Sequence, residues 1–210
     1  MTCENRTFPL CFLSRLRMST DGQGVTTLVG AYGCPLRCEY CLNPRSWQEG
    51  TPYRSVTPRE LYEQVKLDNL YFLATGGGIT FGGGEPLSHV GFIHDFRGIC
   101  PKEWHFTAET SLHIPHENML LAMEVFDDFV VDIKDMNPSI YKAYTGKENT
   151  LVKENLAMLI QHIPAKRIKI RVPLIPRFNT QEDVVASVKT LQTMGFEVFD
   201  RFTYRTEPRG

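Results

Sequence analysis

Cys34, Cys38 and Cys41 place three thiols within eight residues, in the stretch Gly33-Cys34-Pro35-Leu36-Arg37-Cys38-Glu39-Tyr40-Cys41. Thiolates are soft ligands that select iron-sulfur clusters, zinc or copper, and so tight a loop can aim all of them at one centre. The other cysteines, Cys3, Cys11 and Cys100, have neither the spacing nor the neighbours to complete a four-cysteine shell. A structural zinc site normally closes with four ligands, whereas a cluster held by three cysteines leaves one iron free for a substrate or cofactor. An open position therefore points to chemistry. Two plainer readings stand beside it: unrelated buried thiols, or a zinc knuckle that borrows a distant histidine. The pairs His89/His94 and His113/His116 lack a close acidic or cysteine companion and read as surface residues.

The elements that must position this loop follow from turn chemistry and periodicity. Asp21-Gly22-Gln23-Gly24 is a turn, and residues 25–30 are β-branched enough for a first strand that feeds the cysteines. Thr57-Pro58-Arg59-Glu60 carries a capping box with proline at the first helical position, predicting one helix from there to about residue 69. Strands are predicted at 79–81, 104–108, 129–133, 167–172 and 196–203, with helices at 90–99, 115–123, 138–144, 150–162 and from Asn179 or Thr180 to Met194. The nearly all-apolar 129–133 run suits a strand buried on both faces. Six strand-helix alternations without repeats or a linker imply parallel strands joined by right-handed crossovers, as an open sheet or a curved barrel. Gly82-Gly83-Gly84-Glu85, Glu109-Thr110 and Asp132-Ile133-Lys134 all fall at carboxyl ends of strands, as the cysteine loop does. Ligands bind at that end in parallel α/β folds.

Composition sets the surroundings. A chain of 210 residues suits one compact domain, and a net charge of −1 gives no global field that would attract nucleic acid or an anionic membrane. Arg6, Pro9, Arg15 and Arg17 interrupt any continuous apolar signal-peptide region, and no stretch reaches the roughly 20 apolar residues of a membrane span. A cytoplasmic location and reduced thiols are the expectation.

The pattern Cys34-x-x-x-Cys38-x-Tyr40-Cys41 resembles the cluster motif of the radical S-adenosylmethionine (radical SAM) enzymes. The resemblance extends over most of the chain through Asp21 to Gly24, Asn43, Gly82 to Glu85, Asp132 to Lys134 and Arg171. It looks closest to the activating enzymes of glycyl radical enzymes, of the pyruvate formate-lyase activase type. It implies a single-domain α/β fold, a partial parallel (β/α)6 barrel over 25–210 after an N-terminal segment, 1–24. Cys34, Cys38 and Cys41 would hold a 4Fe-4S cluster. Tyr40, Leu42, Gly82, Gly83, Gly84, Glu85, Asp132, Ile133, Lys134, Arg171 and Arg205 would contact SAM, the glycines letting backbone approach its methionine part. A branched residue at Gly84 would then block SAM and spare the cluster. Glu109, where the family has an aspartate, would join Thr110, Val130 and Asp132 around a monovalent cation. Arg205 stands in place of a family histidine. Asp21 and Lys134 would hold a glycine-bearing loop of a partner enzyme, from which a 5′-deoxyadenosyl radical abstracts hydrogen under anaerobic conditions. Reduced flavodoxin or ferredoxin would supply the electron. The rival readings are radical SAM modification of a peptide or small molecule, and a noncatalytic metal-binding module.

Overall fold

The computed structural model describes residues 6–18, 21–204 and 206. Eight strands form one sheet: β1 Phe8–Met18, β2 Val25–Ala31, β3 Arg54–Val56, β4 Gly78–Gly83, β5 His105–Thr110, β6 Asp128–Asp132, β7 Ile168–Leu174 and β8 Val198–Thr203. Their spatial order is β3-β1-β2-β4-β5-β6-β7-β8. From β2 through β8 every neighbouring pair is parallel, giving the six-stranded α/β arrangement the alternation implied. The barrel is open, with β3 and β8 at its edges. Helices α1 Pro58–Val65, α2 Asn69–Thr75, α3 Val90–Ile99, α4 His116–Val125, α5 Pro138–Thr145, α6 Thr150–His162 and α7 Gln181–Thr193 make the crossovers. Among the described residues no helix is long and apolar enough to cross a membrane.

Two expectations need correction. The N-terminal segment is a long strand, β1, antiparallel to both β2 and β3. Its pairing with β2 slips between Leu10 and Phe12 and again between Ser14 and Arg17, and Leu16 takes a positive φ of 55°. Each bulge resets the side-chain alternation, so no clean period of two remains to be read. The single helix expected to run to residue 69 is broken by a 3-10 turn at Lys66–Asp68 into α1 and α2. That turn carries the fully buried Asp68 inward, where it accepts from Arg15 Nη2 at 2.6 Å and Thr27 Oγ1 at 2.6 Å. A buried carboxylate must be paired, and reaching β1 and β2 together bends the helix.

Alternation divides the sheet chemically. Ile79 and Phe81, Phe106 and Ala108, Phe129 and Val131, and Ile168 and Ile170 lie in the main core with residues from the helices. The ring of Phe81 meets Phe8, Phe96, Phe106 and Phe126 at centroid distances of 5.8–6.1 Å. Truncating so central a ring costs about 3–5 kcal/mol. The alternate residues form the opposite, inner face, which becomes polar: Thr26, Thr80 and Thr107 surround Gly22, and Glu109 and Arg171 lie further along.

Candidate active site

β2 delivers the chain to the cysteine loop, and the loop is clamped from both sides. On one side Gly84 N donates to Ala31 O at 3.0 Å and Glu85 N to Gly33 O at 2.8 Å, tying it to the end of β4. On the other, Arg37 N donates to Thr145 O at 3.0 Å and Glu39 N to Tyr144 O at 3.1 Å, the last turn of α5. Gly33 adopts a φ of 102° and donates to Ser46 O at 2.6 Å, which folds the chain back after the loop. Cys34, Cys38 and Cys41 are all half-buried. Burial, then Glu85, pushes the Cys34 thiol up to about 12. Burial also raises Cys38, with Lys134 working against it. Metal binding must therefore displace protons from these thiols. Among the described residues no three His, Cys, Asp or Glu are drawn tightly enough to share a single ion. Thiolates of a cubane cluster bind separate irons and need not converge on one point.

The glycine loop is built around the protein's own contacts. A Cβ on Gly84 would run into Gly33 O and lie 2.9 Å from Gly33 C, in the backbone immediately before Cys34. The expectation that a branched residue here spares the cluster is thus corrected: Gly84 is needed by the cysteine loop itself. Gly83 holds a φ of 89°, a left-handed conformation that other residues adopt only under strain. Gly82 faces inward, where a Cβ would be 3.0 Å from Glu109 Oε2. Glu85 is fully buried and accepts from Thr110 Oγ1 and Ser111 Oγ at 2.7 Å, Ser111 N at 2.9 Å and Leu87 N at 3.3 Å. With both carboxylate oxygens engaged, its side chain locks the glycine loop to the end of β5, and only its backbone is left for a ligand.

Charged groups line the mouth beside these loops. Lys134 Nζ lies 3.3 Å from Asp132 Oδ2 and 5.5 Å from the centroid of Tyr204. Burial alone would lower the Lys134 ammonium, but Asp132, Tyr204 and Cys38 hold it well above its ordinary value. Arg171 donates through Nε to Asp132 Oδ1 at 2.5 Å and through Nη1 to Glu109 Oε1 at 3.1 Å. Burial would raise Asp132, and Lys134 and Arg171 together bring it below the usual carboxylate range. Glu109 stays raised, because its burial outweighs Arg171. The set of Glu109, Asp132, Arg171 and Lys134 carries two charges of each sign. The two carboxylates expected around a monovalent cation are therefore already neutralised, and the Thr110 hydroxyl is engaged with Glu85. These groups do not fit that ion as arranged.

Other expected residues are scattered more widely. Tyr40 packs on Tyr144 and Phe178, with centroids 6.2 and 5.7 Å away. Leu42 is exposed. Ile133 turns its side chain into the core and donates its N–H to Arg171 O. Val130 is buried mid-strand, pairing with Lys169 across the ladder. Asp21 is buried, its carboxylate paired with Arg17 and its carbonyl accepting from Thr80 Oγ1, and Arg17 in turn acts on Glu109. Arg205 lies outside the described residues. Missed from sequence were Tyr141, Tyr144, Phe178 and Tyr204, an aromatic wall beside Cys38. Asp135 was missed too; it accepts from Asn179 Nδ2 at 3.0 Å and Ser187 Oγ at 3.1 Å, tying the segment after Lys134 to the one after β7. The i, i+3 spacing of Tyr141 and Tyr144 was the one available signal, since it puts both rings on one side of α5.

Comparison with known proteins places this geometry in context. The radical SAM superfamily pattern matches residues 28–202. The (2S)-3-sulfopropanediol sulfolyase activating enzyme of Bilophila wadsworthia is 26% identical, over 88% of this chain and 81% of its own length. The pyruvate formate-lyase-activating enzyme of Listeria monocytogenes is 32% identical, over 84% of this chain and 73% of its own. Among solved structures, Streptococcus suis SuiB bound to precursor peptide SuiA aligns with a TM-score of 0.66 over 91% of this chain at 11% identity. A histidine-tagged anSMEcpe with bound AdoMet aligns with a TM-score of 0.57 over 85% at 17%. This chain spans 40% and 51% of those two proteins, and likeness at such identity concerns the fold alone.

Proposed function

Because the chain belongs to the radical SAM superfamily, we propose that it is an activating enzyme that abstracts a hydrogen atom from a backbone glycine of a partner glycyl radical enzyme. The observation that carries this reading is the double clamp on the cysteine loop. It ties the loop of three half-buried thiols to the Gly82 to Glu85 backbone and to α5 at the carboxyl ends of the strands, and the Lys134 ammonium lies near enough to act on Cys38. That donor set fits a 4Fe-4S cluster held by Cys34, Cys38 and Cys41 with one iron open, and relatives of this chain are named as activating enzymes. When bound, such a cluster supplies one electron to the sulfonium of S-adenosylmethionine, which a low-potential donor such as reduced flavodoxin or ferredoxin must replace.

The chain's own residues bind and orient. Lys134, charged and nearly buried, offers a donor for the SAM carboxylate or for a substrate carbonyl. The glycine-loop backbone offers close approach to the methionine amino group. Arg171 holds the Glu109 and Asp132 carboxylates away from the reacting atoms, and no monovalent cation enters this reading. The wall of Tyr40, Tyr144 and Phe178 limits water at the side of Cys38. With the S–C5′ bond of SAM cleaved by that electron and methionine released, a hydrogen atom would pass from the glycine α-carbon to the 5′-carbon, giving 5′-deoxyadenosine and a glycyl radical. In this reading the enzyme works in the cytoplasm.

Isotope transfer tests the reaction. With a peptide carrying the glycine loop deuterated at its α-carbon, 5′-deoxyadenosine should acquire deuterium. Unlabelled 5′-deoxyadenosine, with label retained in the peptide, would reject glycine abstraction.

A further inference from the structure

Tyr141 is buried to 1% exposure beside the cysteine loop, and its hydroxyl has no hydrogen-bond partner among the described residues. Natural proteins rarely leave a buried hydroxyl unsatisfied, so such a group asks for a cause. Its position is well determined by sequence. Asn137 caps α5 by accepting from Ser139 N at 2.9 Å, Pro138 opens it, and Gly146 closes it in the left-handed conformation. The same helix holds the cysteine loop through the carbonyls of Tyr144 and Thr145, so α5 and the thiols are fixed relative to one another. The Tyr141 ring packs in the core cluster that also contacts Cys34 and Cys38.

The neighbours narrow the choice of acceptor. The ionisable groups acting on the phenol are Cys38, Lys134, Glu85 and Cys34. Lys134 has no acceptor to offer. Both Glu85 oxygens are already engaged by donors from Leu87, Thr110 and Ser111. Sulfur remains. A phenol keeps its proton at neutral pH and can donate.

We propose that Tyr141 is a positioning and tuning residue for the cluster, donating its O–H to a sulfur of the group held by Cys34, Cys38 and Cys41. This rests on the cluster assignment above. A hydrogen bond to sulfur stabilises the extra negative charge of the reduced state, so removing it disfavours reduction.

Tyr141→Phe deletes only the oxygen. The reconstituted variant should keep its iron and sulfide content and its SAM affinity. Its one-electron reduction equilibrium should fall about tenfold, equivalent to a midpoint potential about 59 mV more negative. Before reconstitution its melting temperature should equal or exceed that of the unsubstituted protein, because an unsatisfied group has gone. In the unsubstituted protein after exchange into D2O, electron-nuclear double resonance on the reduced cluster should detect an exchangeable deuteron that the variant lacks. Equal potentials together with the same deuteron coupling in both proteins would overturn the role of Tyr141 while leaving the cluster intact. Failure of the unsubstituted protein to take up any cluster would instead overturn the assignment on which it rests.

Discussion

Gly84→Ala is the substitution whose outcome the structure specifies most sharply. The new Cβ would overlap Gly33 O and lie 2.9 Å from Gly33 C and 3.1 Å from Ala31 O, all of them backbone atoms. Backbone cannot rotate away as a flexible side chain can, and the two strands of this contact are pinned by Gly84 N to Ala31 O and Glu85 N to Gly33 O. Overpacking of this kind costs about 1–3 kcal/mol. Losing two backbone hydrogen bonds adds about 0.5–1.5 kcal/mol each, for a total of about 2–6 kcal/mol. For a chain of this size each kcal/mol corresponds to about 2–4 °C, so the melting temperature should fall by about 4–24 °C. Cluster content after anaerobic reconstitution should fall with it, because the displaced atoms adjoin Cys34. Gly98→Ala is the matched control: Gly98 lies in α3 with nothing within 4 Å of its added Cβ, and alanine there should stabilise by about 0.5–1 kcal/mol. Calorimetry, iron and sulfide analysis, and SAM titration of both variants would decide it. A Gly84→Ala protein with unchanged melting temperature and full cluster, but no SAM binding, would refute the steric argument and return the glycine to the ligand.

Alanine at Cys34, Cys38 or Cys41 should abolish SAM cleavage, whereas Cys11→Ala and Cys100→Ala should retain it; 5′-deoxyadenosine yield and iron content distinguish them, and full activity in any loop variant would defeat the ligand assignment. Lys134→Ala should lower the coupling of SAM cleavage to substrate modification by about ten- to a hundredfold, the size of a lost hydrogen bond to a charged group, with cluster absorption as the check that the site is otherwise intact. Arg171→Gln leaves Glu109 without its charged partner and Asp132 with Lys134 alone, so both carboxyls should titrate higher than in the unsubstituted protein, Glu109 further above its unfolded value near 4. Raised carboxyls bind protons in the folded state that the unfolded chain has already released, so the variant loses stability as pH climbs from about 4 through the raised values. Its deficit against the unsubstituted protein should be smallest near pH 4 and largest at neutrality and above. A deficit in melting temperature that stays flat across this range would show that the pair is not coupled as described.

The parallel sheet was legible because its strands are short apolar runs between glycines, prolines and helix caps, signals that are local. Thr57 and Thr180 make their capping boxes with Glu60 and Asp183, and the cysteine loop follows β2 at the carboxyl end. What remained illegible depended on distant partners. β1 hid behind two bulges and Pro9, and Asp68, which breaks the first helix, is explained only by Arg15 and Thr27. Arg171 was named only through the family resemblance, and its guanidinium points inward to Glu109 and Asp132 from a register no local pattern encodes. The tyrosines of α5 look like ordinary helix packing until the backbone bonds from Arg37 and Glu39 show which loop that helix holds.

Activation itself is tested most directly by electron paramagnetic resonance. The reconstituted protein, reduced under anaerobic conditions with SAM, is mixed with a candidate glycyl radical enzyme, and 5′-deoxyadenosine is measured in the same sample. A glycyl radical signal on the partner, rising in proportion to 5′-deoxyadenosine and absent with Cys38→Ala, is expected. Abundant 5′-deoxyadenosine with a modified peptide or small molecule, and no radical on the partner enzyme, would contradict it.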